Sequence, residues 1–388
     1  MDTPALRRVL LDLVGTAATP ELGALSKADW VGLDALAAEH RLQPLLHARA
    51  PHDVPGDIRE TWRAAHRAAA MTALAQRADL VETVALLRGW GFEPLALKGA
   101  WLAHHAYPEP AQRPCRDIDL VVAEDAALAA FAQLTEAGYT LAEVPEMSLA
   151  DTLRLEKHLP VLLAPRGTPL ELHHRLWEPE GRLDHAMPTL PDFAHLQARA
   201  WRDREGIAYL GGGDMLRHLV VHASYSHRLD CGPLVLSDLA LTIAAAPPDW
   251  PGLWADATDE GWAEGAALLF ALVGRYRPEA AIDWTGEGAP PPPELLAAAP
   301  DLLLQPLETR QSARVAAAAL ARGPGALLRR AQGTRGSAGQ APVRREMASS
   351  GGFLGWAWSR LARTLGELAH ADTRRQARGL ARLGRWLG

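Results

Sequence analysis

Asp117 and Asp119 stand two residues apart in the run RPCRDIDLVV at 113–122. On an extended strand, residues i and i+2 face the same way. Ile118, Leu120 and Val122 alternate with the two acids and supply a face to bury, and Ile and Val favour strands. Two carboxylates aimed at one spot repel each other. A divalent cation relieves that repulsion, and hard oxygen donors suit Mg2+ or Mn2+. The pair therefore points to a metal site for phosphoryl or nucleotidyl transfer.

The neighbouring elements must position this pair. Residues 92–97 read as a short buried strand that runs through Lys98-Gly99 into a helix over 100–105. Such a strand-to-helix turn offers backbone N–H groups to a phosphate. Lys98 is one of three lysines, with Lys27 and Lys157, in a chain that otherwise uses arginine. A compact ammonium fits beside a phosphate where a guanidinium fork is bulkier. Downstream, 158–164 and 169–176 read as two strands joined by a turn at Arg166-Gly167-Thr168. Glu171 sits in the second strand and can supply a third carboxylate, and His173 shares its face. A like-charge cluster of this kind predicts that Asp119→Asn abolishes transfer while leaving the fold as stable as before, or more so.

Four stretches carry a resemblance to a known family: AAEHRLQPLL at 37–46, LALKGAWLAHHAYPEPAQRPCRDIDLVV at 95–122, EKHLPVLL at 156–163 and PLELHHRLW at 169–177. The chain resembles the uncharacterised-nucleotidyltransferase branch of the polymerase-β-like nucleotidyltransferase superfamily, over roughly residues 37–240. The resemblance implies an α+β fold: a small mixed sheet flanked by N-terminal and C-terminal helical regions. It implies metal-dependent transfer of an NMP group from an NTP to a hydroxyl or similar acceptor, with Asp117, Asp119 and Glu171 as catalytic metal ligands. Lys98, Gly99, Arg113 and Arg116 then face the nucleotide. For the two arginines, a phosphate contact and an ion pair that keeps the acids ionised are both open. Asp238 in LSDLAL matches an acidic position of the family's C-terminal helices, as a base contact or as a cap for a neighbour. The superfamily's usual Gly-Gly or Gly-Ser pair is replaced here by Lys98-Gly99-Ala100. Two other readings are a non-catalytic NTP-binding or partner-binding protein of the same fold, and an RNA-modifying nucleotidyltransferase.

Other reactive side chains have plainer readings. His173 binds substrate, orients a ligand or is a satisfied core histidine. His218 and His222 are spaced i, i+4, which suits zinc, but no HExxH glutamate or cysteine accompanies them. Ser237 with His222 lacks the glycines of a nucleophile elbow.

Composition sets the frame. Nearly half of the 388 residues are apolar, as in globular proteins, and no run approaches the ~20 residues of a membrane span. Two cysteines, Cys115 and Cys231, make a disulfide framework improbable and fit a reducing cytoplasm. The spacing predicts an N-terminal helical region over 1–86, including a stripe of Met71, Leu74, Ala78, Val81 and Ala85. The catalytic core follows over 87–178. A second helical region covers 179–308, with Gly211-Gly212-Gly213 leading to an N-cap at Asp214, and with 290–293 a stiff linker or turn. Residues 309–388 carry 15 arginines, no lysine and three acids, a net of +12; the whole chain is −6, so the remainder carries −18. Within this segment 322–352 reads as disordered and 353–387 as basic amphipathic helices with Trp356, Trp358 and Trp386. The simplest expectation is that it packs on the acidic body; the rival is a free arm for an anionic partner such as RNA.

Overall fold

The computed structural model describes residues 1–17, 22–49, 53–180, 183, 185–286, 290–306, 309–322, 366 and 370–388. Four helices come first: α1 (Thr3–Val14), α2 (Lys27–Glu39), α3 (Gln43–Arg49) and α4 (Gly56–Gly89). Asp2 caps α1 by accepting from the Ala5 N–H. Ser26 and Asp29 close a capping box on α2, which satisfies N–H groups the helix itself leaves unpaired. The 34-residue α4 runs unbroken to the sheet. Its stripe of Met71, Leu74 and Val81 is helical but faces outward; the buried side chains along the same stretch include Ala73, Leu80, Val84 and Leu87. Helical spacing alone does not say which of two parallel stripes faces the core.

Seven short strands follow within the next elements: β1 (Leu95–Ala96), β2 (Ile118–Val121), β3 (Thr140–Leu141), β4 (Leu162–Leu163), β5 (Pro169–His173), β6 (Trp201–Arg202) and β7 (Ala208–Tyr209). They form one mixed sheet in the order β3-β4-β5-β2-β1-β7-β6. β2 lies antiparallel to β1 and parallel to β5. Ile118 and Leu120 pair with Leu170 and Leu172 on one face, all four buried. Asp119 and Val121 pair with Glu171 and His173 on the other. The β4–β5 hairpin turns at Gly167, whose φ of +84° suits glycine. Between β2 and β5 run α6 (Ala127–Glu136) and α7 (Leu149–Leu155). The strands are shorter than the apolar runs predict, since 92–94, 158–161 and 174–176 lie outside the regular ladder.

The remaining helices are α8 (Phe193–Ala198), α9 (Gly212–Val221), α10 (Leu234–Ala245), α11 (Trp250–Glu260), α12 (Ala263–Tyr276), α13 (Pro293–Leu303), α14 (Arg310–Arg322) and α15 (Ala371–Trp386). α9 continues into a π turn, His222–Ser226. Its N-cap is Gly211, not Asp214. A Cβ at Gly211 would stand 2.6 Å from the Arg199 carbonyl oxygen, and Asp214 inside the helix is held by Arg199 at 2.8 Å and Arg217 at 2.9 Å. The turn at 290–292 leads straight into α13.

In the C-terminal segment, α15 packs on α13 and α14. Gly379 lets α15 approach Leu302, which a Cβ would meet at 3.1 Å. The fully buried Arg7 of α1 donates to Asp301 at 2.8 Å and to Asp372 at 2.7 Å. The stretch 323–365, with Trp356 and Trp358, lies outside the described residues. Cys115 and Cys231 are free thiols.

Candidate active site

Because β2 and β5 are parallel and Asp119 is opposite Glu171, two acids from distant parts of the chain stand side by side. One imidazole nitrogen joins them: His173 Nε2 lies 3.0 Å from Asp119 Oδ1 and 3.1 Å from Glu171 Oε2. Ligand atoms of Asp119, Glu171 and His173 all fall within 4.8 Å of one another, the spacing of a metal site. Lys98 Nζ approaches the other oxygen of Asp119 at 3.1 Å. Burial works to raise the Asp119 carboxyl, but Lys98 and His173 overcome it and hold that carboxyl well below the usual range. Burial would lower the His173 imidazolium; its bonds to Asp119 and Glu171 raise it instead.

Asp117 sits one residue before β2 and is not in the three-residue group. Burial, and then the Asp119 charge, push its carboxyl up to about 6. Asp117 lies on the approach to β2 rather than in it, and lines the same cavity as Asp119 and Glu171. The sequence reading treated His173 as a secondary contact, whereas the structure gives it the central position among the acids.

Lys98 opens a four-residue helix, α5 (Lys98–Trp101), that follows β1 directly. Gly99 is required by packing. A Cβ there would stand 2.8 Å from Cys115 Sγ and 3.2 Å from Arg113 Nη1. Arg113 grips Asp238 with two bonds, Nε at 3.2 Å and Nη2 at 2.9 Å, and the Tyr107 hydroxyl donates to the same carboxylate at 2.8 Å. So Arg113 and Asp238, both assigned ligand contacts from sequence, here hold each other and tie the loop before β2 to α10. Arg116 is exposed on the same side as Asp117.

A cavity of about 310 Å³ opens on these groups. Asp119, Glu171, Asp230 and Arg310 line it, as do Arg41, Lys157 and His158. None of these last three was singled out from sequence, although Arg41, Lys157 and His158 stand within the family-like stretches; their side chains reach the site only through the tertiary fold. His158 Nε2 is 3.6 Å from Glu171 Oε2. His218 and His222 stack at 6.0 Å between ring centres, and among the described residues they form no group with metal-ligand spacing. Ser237 Oγ accepts from Arg277 at 2.9 Å, which leaves it a structural partner.

A family model described as an uncharacterised nucleotidyltransferase matches residues 26–278. The chain belongs to the uncharacterised nucleotidyltransferase family. No curated protein and no solved structure matches it. The nucleotidyltransferase match takes in α2 through α12, so it includes Arg41, both aspartates, Glu171 and Asp238, and ends before α13. The α+β architecture, a mixed sheet with flanking helices, is that of a nucleotidyltransferase. Arg310 therefore enters the cavity from outside the family region.

Proposed function

We propose that this protein transfers an NMP group from an NTP to a hydroxyl or similar acceptor, with Asp117, Asp119 and Glu171 as the metal-binding acids. The observation that carries this reading is the side-by-side placement of Asp119 and Glu171 in a cavity rich in cations. The donor chemistry fits a hard divalent cation through its carboxylates: Asp119 and Glu171 bring oxygen donors within 4.8 Å of each other, and His173 beside them holds both in place. Mg2+ or Mn2+ held there would neutralise charge on the phosphates and orient the attacking oxygen.

The chain's own residues do the rest. Asp119 and Glu171 are fixed by the β2–β5 ladder, so the site is pre-organised on rigid backbone. His173 orients both carboxylates through one nitrogen. Lys98 holds Asp119 ionised and stands where a phosphate oxygen can share its donors. Arg116 contacts the nucleotide, while Gly99 and Arg113 serve it indirectly, by seating α5 against Cys115 and by anchoring Asp238. In the reaction a bond forms from the acceptor oxygen to the α-phosphorus. The bond from that phosphorus to the β-bridging oxygen breaks, pyrophosphate leaves, and the acceptor's proton passes to solvent. Positioning and charge neutralisation supply the rate.

No helix among the described residues is long and apolar enough to cross a membrane. The two free thiols fit a cytoplasmic setting. Incubating the protein with each labelled NTP, Mg2+ or Mn2+ and a cell extract tests the reading. Label should appear on a small molecule, peptide or RNA, and the Asp119→Asn variant should give none. Tight NTP binding without label transfer in any extract would favour a non-catalytic nucleotide-binding protein.

A further inference from the structure

Arg41 follows the end of α2 and is assigned no role by the family reading. Its φ is +56°, a left-handed conformation that a non-glycine residue adopts at a cost. That backbone turns the side chain towards the cavity that holds the acids. Its Nη1 reaches the Pro114 carbonyl oxygen at 3.5 Å, at the edge of hydrogen bonding. Arg116 lines the same cavity. Among the described residues neither Arg41 nor Arg116 has a carboxylate within ion-pair distance, whereas neighbouring Arg113 is taken up by Asp238. The cavity's carboxylates Asp119, Asp238 and Asp230 are already paired with Lys98, Arg113 and Arg314, so a further anion is what would engage the Arg41 and Arg116 donors. Burial, together with Arg116 and Arg113 and against Cys115 and Asp117, pulls the Arg41 guanidinium down to about 10.

We infer that Arg41 and Arg116 bind the β- and γ-phosphates of the nucleotide, so that Arg41 is a positioning residue for the pyrophosphate leaving group. This rests on the nucleotidyl-transfer reading and adds a residue from the N-terminal helices to it. A guanidinium fork matches a phosphate with two parallel bonds. Lys98, Asp119, Glu171 and the two arginines all line this one cavity, so a polyphosphate can lie across them.

The test uses the full chain and two probes that lack a base or lack the outer phosphates: inorganic tripolyphosphate and a nucleoside monophosphate. Arg41→Gly removes the side chain and suits the left-handed backbone, so it keeps the fold; Arg41→Lys keeps the charge and loses the fork. Melting curves confirm folding, and titration calorimetry measures binding of NTP, tripolyphosphate and monophosphate. Losing a charge-assisted contact should weaken NTP and tripolyphosphate by roughly 10- to 100-fold. Arg41→Lys should recover part of that, and monophosphate binding should not change. Unchanged tripolyphosphate affinity in folded Arg41→Gly overturns the assignment, as does an equal loss of monophosphate binding. Failure of the wild-type protein to bind any NTP would instead overturn the nucleotidyl-transfer reading itself.

Discussion

The ammonium of Lys98 lies 3.1 Å from Oδ2 of Asp119, and the two side chains are only 13% and 5% exposed. Like-charge repulsion among the acids is therefore not the dominant force on Asp119, because Lys98 and His173 both contact its carboxylate. This reverses the sign expected for Asp119→Asn from the acids alone. Removing one partner of a buried ion pair costs about 3–5 kcal/mol, since the other charge is left uncompensated. The variant should lose transfer activity and also melt at a lower temperature than the wild type. Thermal melts of the apo proteins decide the point; an equal or higher midpoint would show that repulsion prevails.

Arg113→Lys separates structure from ligand binding. The lysine keeps one positive charge but cannot make both contacts to Asp238. The bidentate pair, with Tyr107 on the same carboxylate, joins the loop before β2 to α10. Replacing the fork by a point charge should cost about 1.5–3 kcal/mol of stability, with NTP affinity changed less than in Arg41→Gly. A stable Arg113→Lys protein with strongly weakened NTP binding would return Arg113 to the phosphate.

Much of this site was legible in the sequence because its signals are local. The alternation around Asp119, the turn at Gly167 and the placement of Glu171 on the next strand each follow from strand periodicity, and the β2–β5 ladder has the form they imply. What stayed illegible depends on tertiary geometry. Whether Asp117 lies in β2 or just before it turns on where pairing begins, a boundary that apolar pattern does not set. The orientation of α4 hides in the same way, since Met71 and Leu74 repeat with helical spacing but are exposed, while Leu80 and Val84 are buried. The Arg113–Asp238 pair spans 125 residues, so only the folded chain shows that two presumed ligand contacts satisfy each other.

Acid should weaken the fold through buried histidines that resist taking up a proton. Burial, with Arg310, Arg7 and Arg41 near it, pushes His40 down to about 4. Burial, with Arg77 and His105 near it and Asp203 opposing, does the same to His104. In the unfolded chain both titrate near 6.5. Between about pH 6.5 and 4 the unfolded state thus binds more protons, so stability falls as pH drops through that window and is fully present above it. Melting midpoints from pH 7.5 to 4.5 should fall, and His104→Gln, which cannot take up the proton, should show a shallower fall. A variant with the wild-type slope would remove His104 from the effect.

The Arg-rich segment bears on the site as well as on stability. Arg314 and Arg310 of α14 pair with Asp230, which lines the cavity, Arg310 at 3.5 Å. α15 is tied to α1 through Arg7 and Asp372, and Trp386 donates to the Glu264 carbonyl oxygen at 3.0 Å. Arginines committed to the body in this way are not available as a free arm. Ending the chain at residue 308 should leave Arg7 short of one of its two carboxylates and uncover Leu302, which is fully buried and packs against Gly379. Apolar area returned to water costs roughly 25 cal/mol per Å², so the shortened protein should melt lower, bind a hydrophobic dye and lose solubility. Limited proteolysis of the full chain should spare Ala371–Trp386. Rapid trimming to a stable, soluble core with full transfer activity, together with loss of salt-sensitive RNA binding, would identify the segment as an RNA arm instead.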